Sequence, residues 1–305
     1  MAGSQIDHKT LVASLSDEVR VALTQTNDST GLFKLASHVF ALMLTSYWIL
    51  SAAPLWQMAL ILQGVQIVFL FTLLHETVHD TPFASATLNR MVGWMCGLLI
   101  FLPPTWFRYF HLAHHRHTHD PEKDPELQGA EIDSIARYLW VVTGIPVWGF
   151  HFKTLIANAF GKSDYPYLPN NAAKRVRSEA QLLIGVYGFV FAASLYFANN
   201  VIFWLWIVPI LLGQPFLRLY LMAEHGRCPH VANMFENTRT TFTNRIIRWL
   251  AWNMPYHAEH HAYPSVPFHK LPLFHKVAKE HLRMTENGYT AFHKYHINSL
   301  AKGKT

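Results

Sequence analysis

Nine histidines hold the chemistry that can be read from this chain. Eight fall into three short clusters: HETVH with His75 and His79, HLAHH with His111, His114 and His115, and HAEHH with His257, His260 and His261. The ninth, His225, stands in AEHG. Within each cluster the i,i+3 and i,i+4 spacings put the rings on one helix face. Three such stripes aimed at one place make a nitrogen-rich metal site, and imidazole suits iron, zinc and copper. One zinc ion takes three or four protein ligands, so nine donors are enough for two metal ions.

HETVH alone matches the zinc-peptidase pattern, in which two histidines bind the metal and the glutamate acts as general base. That reading leaves the other two clusters without a role. A metal carrier or transporter is a second alternative, and it requires polar or ionisable groups within its spans. The apolar stretches hold little beyond Gln57, Gln63, Gln66 and Gln214. Both alternatives are therefore distant.

The elements that must position these histidines are membrane helices. Hydrophobic residues make up 51% of the chain and charged residues 14%, against a usual share of about 25% charged. The runs Phe33–Ala53, Leu55–Leu74, Ala180–Ala198 and Val201–Leu217 hold one charge between them, Lys34. Roughly 20 apolar residues in a helix cross a bilayer. The expectation is an all-α integral membrane protein with four transmembrane helices in two hairpins and a cytoplasmic helical cap holding the histidines. The turns Ser51–Pro54 and Asn199–Asn200 carry no Lys or Arg, while Lys162–Arg177 carries Lys162, Lys174, Arg175 and Arg177. By the positive-inside rule both termini and all the clusters face the cytoplasm. The net charge of +6 suits that side of an anionic membrane. No basic helix with interleaved stacking aromatics is present, which argues against nucleic-acid binding. Cys96 and Cys228 form no CxxC, which excludes a disulfide framework and a thiolate metal site. The polar first thirty residues argue against a cleavable signal peptide.

The chain reads as one domain over 1–305 in five segments. Residues 1–32 form an interfacial segment, with Leu11, Leu15, Val19 and Leu23 on one face and a break at Asn27–Gly31. Residues 33–74 form the first hairpin. Residues 75–178 hold the first two clusters, with a re-entrant or interfacial run at Met91–Leu102, interfacial helices over Ile135–Ile156 (or a fifth span there), and a polar loop at Lys162–Arg177. Residues 179–223 form the second hairpin, and 224–305 hold the third cluster and the tail.

In this order, HX3H, HX2HH and HX2HH around two hydrophobic hairpins resemble the membrane fatty acid desaturase superfamily, which also contains hydroxylases, ketolases and decarboxylases. The resemblance covers roughly residues 35–275. The stretch with AEHGRCP, NTRTT and WNMPYHAEHHAYPSVPFHKLP looks most like bacterial fatty acid desaturases. It implies two non-haem iron ions held by His75, His79, His111, His114, His115, His257, His260 and His261, with His225 as the family's extra histidine. It also implies dioxygen as co-substrate and a lipid or fatty acyl substrate entering from the membrane. No catalytic side chain beyond the ligands is implied. The reaction is desaturation, with hydroxylation or another oxidation of a lipid, carotenoid or small amphiphile as the alternative. The location is a bacterial inner membrane, or an endoplasmic reticulum in a eukaryote. Where animal acyl-CoA desaturases place a water-bridging asparagine four residues before the extra histidine, this chain has Leu221, and Asn253 is a weak substitute.

The chain has no haem, ferredoxin or nucleotide motif, so electrons must come from a separate ferredoxin, rubredoxin or cytochrome. Ligand histidines usually donate their second nitrogen to a carboxylate or carbonyl. Glu76, Asp80, Asp120, Asp124, Glu224 and Glu259 are the neighbours placed for that, or else solvated charges. His117 and His119 fall off the ligand face and read as surface or supporting groups. Arg239 reads as a contact for a head group or a lipid phosphate. Phe69, Phe71, Trp204 and Trp206 in the spans read as packing or interfacial belt.

Overall fold

In an apolar surrounding the backbone must satisfy its own hydrogen bonds, and the chain is mostly helical. The computed structural model describes residues 6–129, 131–162 and 164–303. The first five residues of the expected segment 1–32 and the last two of the tail lie outside them.

The expected single amphipathic helix at the N-terminus is two: α1 (His8–Ser14) and α2 (Asp17–Thr24). Ser16 is extended between them and caps the Val19 amide, which starts a new helix. Leu11 and Leu23 are buried as the pattern requires. The break that follows is shorter than the Asn27–Gly31 run suggests. Asn27 caps the Thr30 amide at 3.0 Å, so the next helix begins at Asp28.

That helix, α3 (Asp28–Leu50), is followed by α4 (Trp56–Val68) and α5 (Leu70–Val78), separated only at Phe69. Next come α6 (Ala86–Leu99) and α7 (Pro104–His117), bent by 99° at a break where Pro104 opens the second helix. The following pair, α8 (Ile135–Val142) and α9 (Ile145–Ala159), is bent by 57°. Helix α10 (Asn170–Tyr196) takes in the second half of the expected polar loop, because its basic first turns continue directly into the apolar run. A π-helical turn over Phe203–Ile207 leads into α11 (Val208–His225). Shorter pieces close the chain: α12 (Met234–Asn237), α13 (Arg245–Leu250), α14 (His257–Ala262), α15 (Leu271–Ala278) and α16 (Tyr289–Ala301). Strands β1 (Thr240–Thr241) and β2 (Thr285–Glu286) pair in parallel and tie the last third together.

Four helical stretches are long and apolar enough to cross a membrane: Asp17–Leu50, Trp56–Val78, Asn170–Tyr196 and Phe203–His225, or up to six if each bent pair is one span. They overlap the four apolar runs. Phe33 and Phe189 are 80% and 74% exposed, an apolar surface that water disfavours and lipid accepts. Between the helices polar groups pair with each other: Ser46 donates to Gln63, Thr45 to Gln66, and Gln63 Nε2 to the Leu205 carbonyl at 2.6 Å. That carbonyl lies in the π turn, where the regular helical bonding is disturbed. Two of the glutamines that stood out in the spans are thus structural.

Candidate metal centre

The three clusters and His225 reach one place from four helices. His75 lies in the last turn of α5 and His79 caps its end. His111, His114 and His115 line one face of α7. His225 is the last residue of α11, one step earlier than a position beyond the span. His257, His260 and His261 occupy the short helix α14. Two groups of donors result. The nitrogens of His75, His79, His111, His115 and His260 all lie within 4.8 Å of one another, and so do those of His114, His225 and His261. His257 falls in neither group but adjoins the second, its Nε2 3.1 Å from His225 Nε2. The His115 and His261 rings stack at 4.0 Å and join the two groups.

Proton bookkeeping tests whether these residues fit metal ions. A neutral imidazole offers one N–H and one lone pair. His111 Nε2 faces His79 Nε2 at 3.0 Å and His115 Nε2 at 2.9 Å, and His115 Nε2 also faces His260 Nε2 at 3.2 Å. His225 Nε2 faces both His114 Nε2, at 3.2 Å, and His257 Nε2. No assignment of protons satisfies all of these pairs. Both nitrogens of His75, and Nε2 of His261, are buried without any hydrogen-bond partner. Lone pairs converging in a buried space without protons to share are what a cation satisfies. Burial first, and then the neighbouring imidazoles, hold His257, His260 and His261 well below the usual histidine range. They are therefore neutral, the form that binds metal.

The far side of each ring decides its orientation. Asp124 is fully buried and accepts a hydrogen bond from His114 Nδ1 at 2.9 Å, while also accepting from the backbone amides of His119 and Glu126. Burial opposes its charge, but the His114 and backbone hydrogen bonds outweigh that and hold its carboxyl below the usual range. His225 Nδ1 donates to the Asn237 carbonyl at 3.2 Å. His261 Nδ1 meets Thr118 Oγ1 at 3.3 Å. Glu224 and Glu76 approach His257 and His260 at 3.5 and 3.7 Å, ion-pair distances without a hydrogen bond. Glu76 is used elsewhere, accepting from the Phe268 amide and Thr81.

Other expected neighbours turn away. Asp80 pairs with Arg108 and Asp120 with Lys123. Glu259 binds His275 and Thr240 rather than a clustered histidine. Asn253 donates to the Phe268 carbonyl, so it offers the site nothing in place of the asparagine that Leu221 replaces. His119 is buried with its ring 5.5 Å from His225, a supporting position and not a surface one. Arg239 is a correction: it is buried and donates to the Ala223 and Gly226 carbonyls at 2.6 and 2.8 Å. It closes the C-terminal end of α11 beside His225, where orphan carbonyls and the helix dipole favour a cation. Glu126 was missed by sequence reasoning. Its Oε2 lies 3.7 Å from His114 Nε2, on the metal-facing side. The only sequence signal was its place two residues after Asp124.

Comparison with known proteins follows the same lines. Residues 46–293 match the family described as fatty acid desaturase. Dihydrorhizobitoxine desaturase of Bradyrhizobium elkanii is 28% identical over 84% of this chain and 73% of its own length. A sphingolipid delta(4)-desaturase of Drosophila melanogaster is 28% identical over 68% of this chain. The match spans 60% of that protein's length. The fatty acid desaturase of Bacillus subtilis is 24% identical over 76% of this chain and 69% of its own length.

Proposed function

Because this chain belongs to the fatty acid desaturase family, and is with it an oxidoreductase of the lipid desaturase class, we propose that its nine histidines hold two iron ions and that it introduces a double bond into a fatty acyl chain or lipid at the expense of dioxygen. The observation that carries the ligand assignment is the pair of histidine groups, five and three donors strong, joined through His115 and His261. His75, His79, His111, His115 and His260 hold one iron; His114, His225 and His261, with His257 alongside, hold the other. When bound, the irons supply the oxygen activation that no side chain can perform.

The chain's own residues do the rest. Asp124, the Asn237 carbonyl and Thr118 fix the rings of His114, His225 and His261. Phe107 stacks on His111 at 5.4 Å and Phe71 lies 6.3 Å from His75, an apolar wall against which a hydrocarbon chain rests and from which water is excluded. In the balance, two hydrogens leave adjacent substrate carbons and dioxygen becomes two waters. Two electrons and two protons must therefore come from outside, from a ferredoxin, rubredoxin or cytochrome partner. The spans form two hairpins under a cytoplasmic cap, within a single domain over 1–305, in a bacterial inner membrane or an endoplasmic reticulum.

Lipid mass spectrometry of cells expressing the chain, against His115→Ala, tests the reaction. The expected product lacks two hydrogens. A product that gains one oxygen atom assigns hydroxylation instead, and unchanged lipids reject both. Metal analysis of the purified protein should find close to two irons per chain; one zinc and no iron would sink the ligand assignment.

A further inference from the structure

Helix α11 carries one arginine in its apolar interior. Arg218 stands seven residues before His225, on nearly the same helix face and about 10 Å further into the span. Its Nε is buried with no hydrogen-bond partner. Glu126 and Glu224 are the carboxylates that feel its charge. Among the described residues neither comes within ion-pair distance of it; they approach His114 and His257 instead. On α9, Trp148 Nε1 is a second buried donor without an acceptor. His151, one turn on, has its ring 5.9 Å from Trp148 and lies within the field of Arg218.

A cationic side chain in a membrane span with a buried, unpartnered donor is costly, and such residues mark functional sites. Two polar side chains of these spans, Gln63 and Gln66, do find partners. The planar guanidinium fork matches a carboxylate or phosphate, and an indole N–H is a further donor for the same kind of oxygen.

We propose that Arg218, with Trp148, binds the carboxylate end of an anionic substrate inside the membrane beside the histidine centre. The inference rests on the lipid-oxidising reading above and narrows it. A neutral lipid leaves the cation unpaired, whereas an anionic amphiphile neutralises it. Anchoring at Arg218 then sets the attacked carbon by its distance from the charged end.

The test is equilibrium binding to the full chain in phosphatidylcholine nanodiscs, followed by tryptophan fluorescence, with palmitate and methyl palmitate as probes. Both probes partition into the bilayer, so wild type and variants are compared at equal lipid load. Wild type should prefer palmitate by roughly tenfold or more, the size expected for a charge-assisted hydrogen-bonded contact. Arg218→Gln should lose that preference and leave methyl palmitate unaffected. Arg218→Lys should restore part of it, and Trp148→Phe should weaken it. Equal binding of the two probes by wild type, or a preference retained in Arg218→Gln, overturns the proposal. So does an Arg218-dependent thermal stabilisation that follows added phosphatidylglycerol and not palmitate, since the guanidinium then holds a bulk lipid head group. Binding needs no turnover, so a failed lipid-product assay counts against the reaction alone, and a failed palmitate preference against the anchor alone.

Discussion

At the scale of single residues, the contact that matters most is behind a proposed ligand, His114. Asp124 accepts from His114 Nδ1 and in the same geometry from two backbone amides, so it fixes the tautomer and the angle of one ring together. Asp124→Asn keeps the volume but turns an amide toward one of those donors. Metal retention under chelator challenge is expected to fall by about 10- to 100-fold, the usual cost of losing such a partner. Retention equal to wild type would show that His114 needs no fixing. The histidine stripes were legible in the sequence because helical spacing is local: His111, His114 and His115 need only one helix to be read as a stripe. Their supports were legible only in part. Asp124 and Asp120 look alike as neighbours of HHRHTHD, yet one is buried against His114 and the other pairs with Lys123. That difference is made by the turn after α7, which no periodicity encodes. Arg239 shows the same limit, since the helix end it closes lies on another segment.

Elements set the distances between clusters, and one close approach governs them. A Cβ on Gly64 of α4 would sit 2.0 Å from the Pro209 carbonyl, and one on Gly213 of α11 would sit 2.2 Å from the Gly64 carbonyl carbon. The two helices therefore touch backbone to backbone, the use small residues commonly serve in membranes. From that contact α4 and α5 run eleven residues to His75, and α11 runs twelve to His225. The two histidines thus rise to similar height, one in each donor group. Gly64→Val must push the helices apart, and overpacking of this kind costs about 1–3 kcal/mol. The expected result is a lower Tm together with loss of bound metal, and Gly64→Ala should fall between. Wild-type Tm and metal content in Gly64→Val would mean that the helix contact does not set the site. The spans themselves were legible from their apolar runs. The separation at Phe69 and the π turn at Phe203–Ile207 were not, because they answer to partners across the bundle such as Gln63.

Over the whole molecule, the proposed reaction requires the histidine end of the bundle to face the side where reduced carriers are. The charge pattern gives the expectation for that side, which labelling can check. The turns near Ser51 and Asn200 carry no basic residue, while the segment around Lys162 and the tail near Lys302 carry several. All four positions are exposed. The native cysteines, Cys96 and Cys228, are buried, so they leave a low background for thiol labelling. Single cysteines at these four positions therefore report topology directly. A membrane-impermeant maleimide applied to intact cells should label Ser51→Cys and Asn200→Cys. It should reach Lys162→Cys and Lys302→Cys only after permeabilisation. If Lys162→Cys and Lys302→Cys are labelled in intact cells and Ser51→Cys and Asn200→Cys are not, the bundle crosses the other way. The histidine centre would then stand on the side away from cytoplasmic electron carriers, and a cytoplasmic ferredoxin, rubredoxin or cytochrome would be excluded as its partner. If only Lys302→Cys is labelled, an odd number of crossings separates it from Lys162, and neither bent pair, α6–α7 or α8–α9, supplies that crossing because both lie before Lys162. The labelling pattern thus tests the orientation, and whether an odd or even number of crossings separates these positions, independently of any assay of turnover.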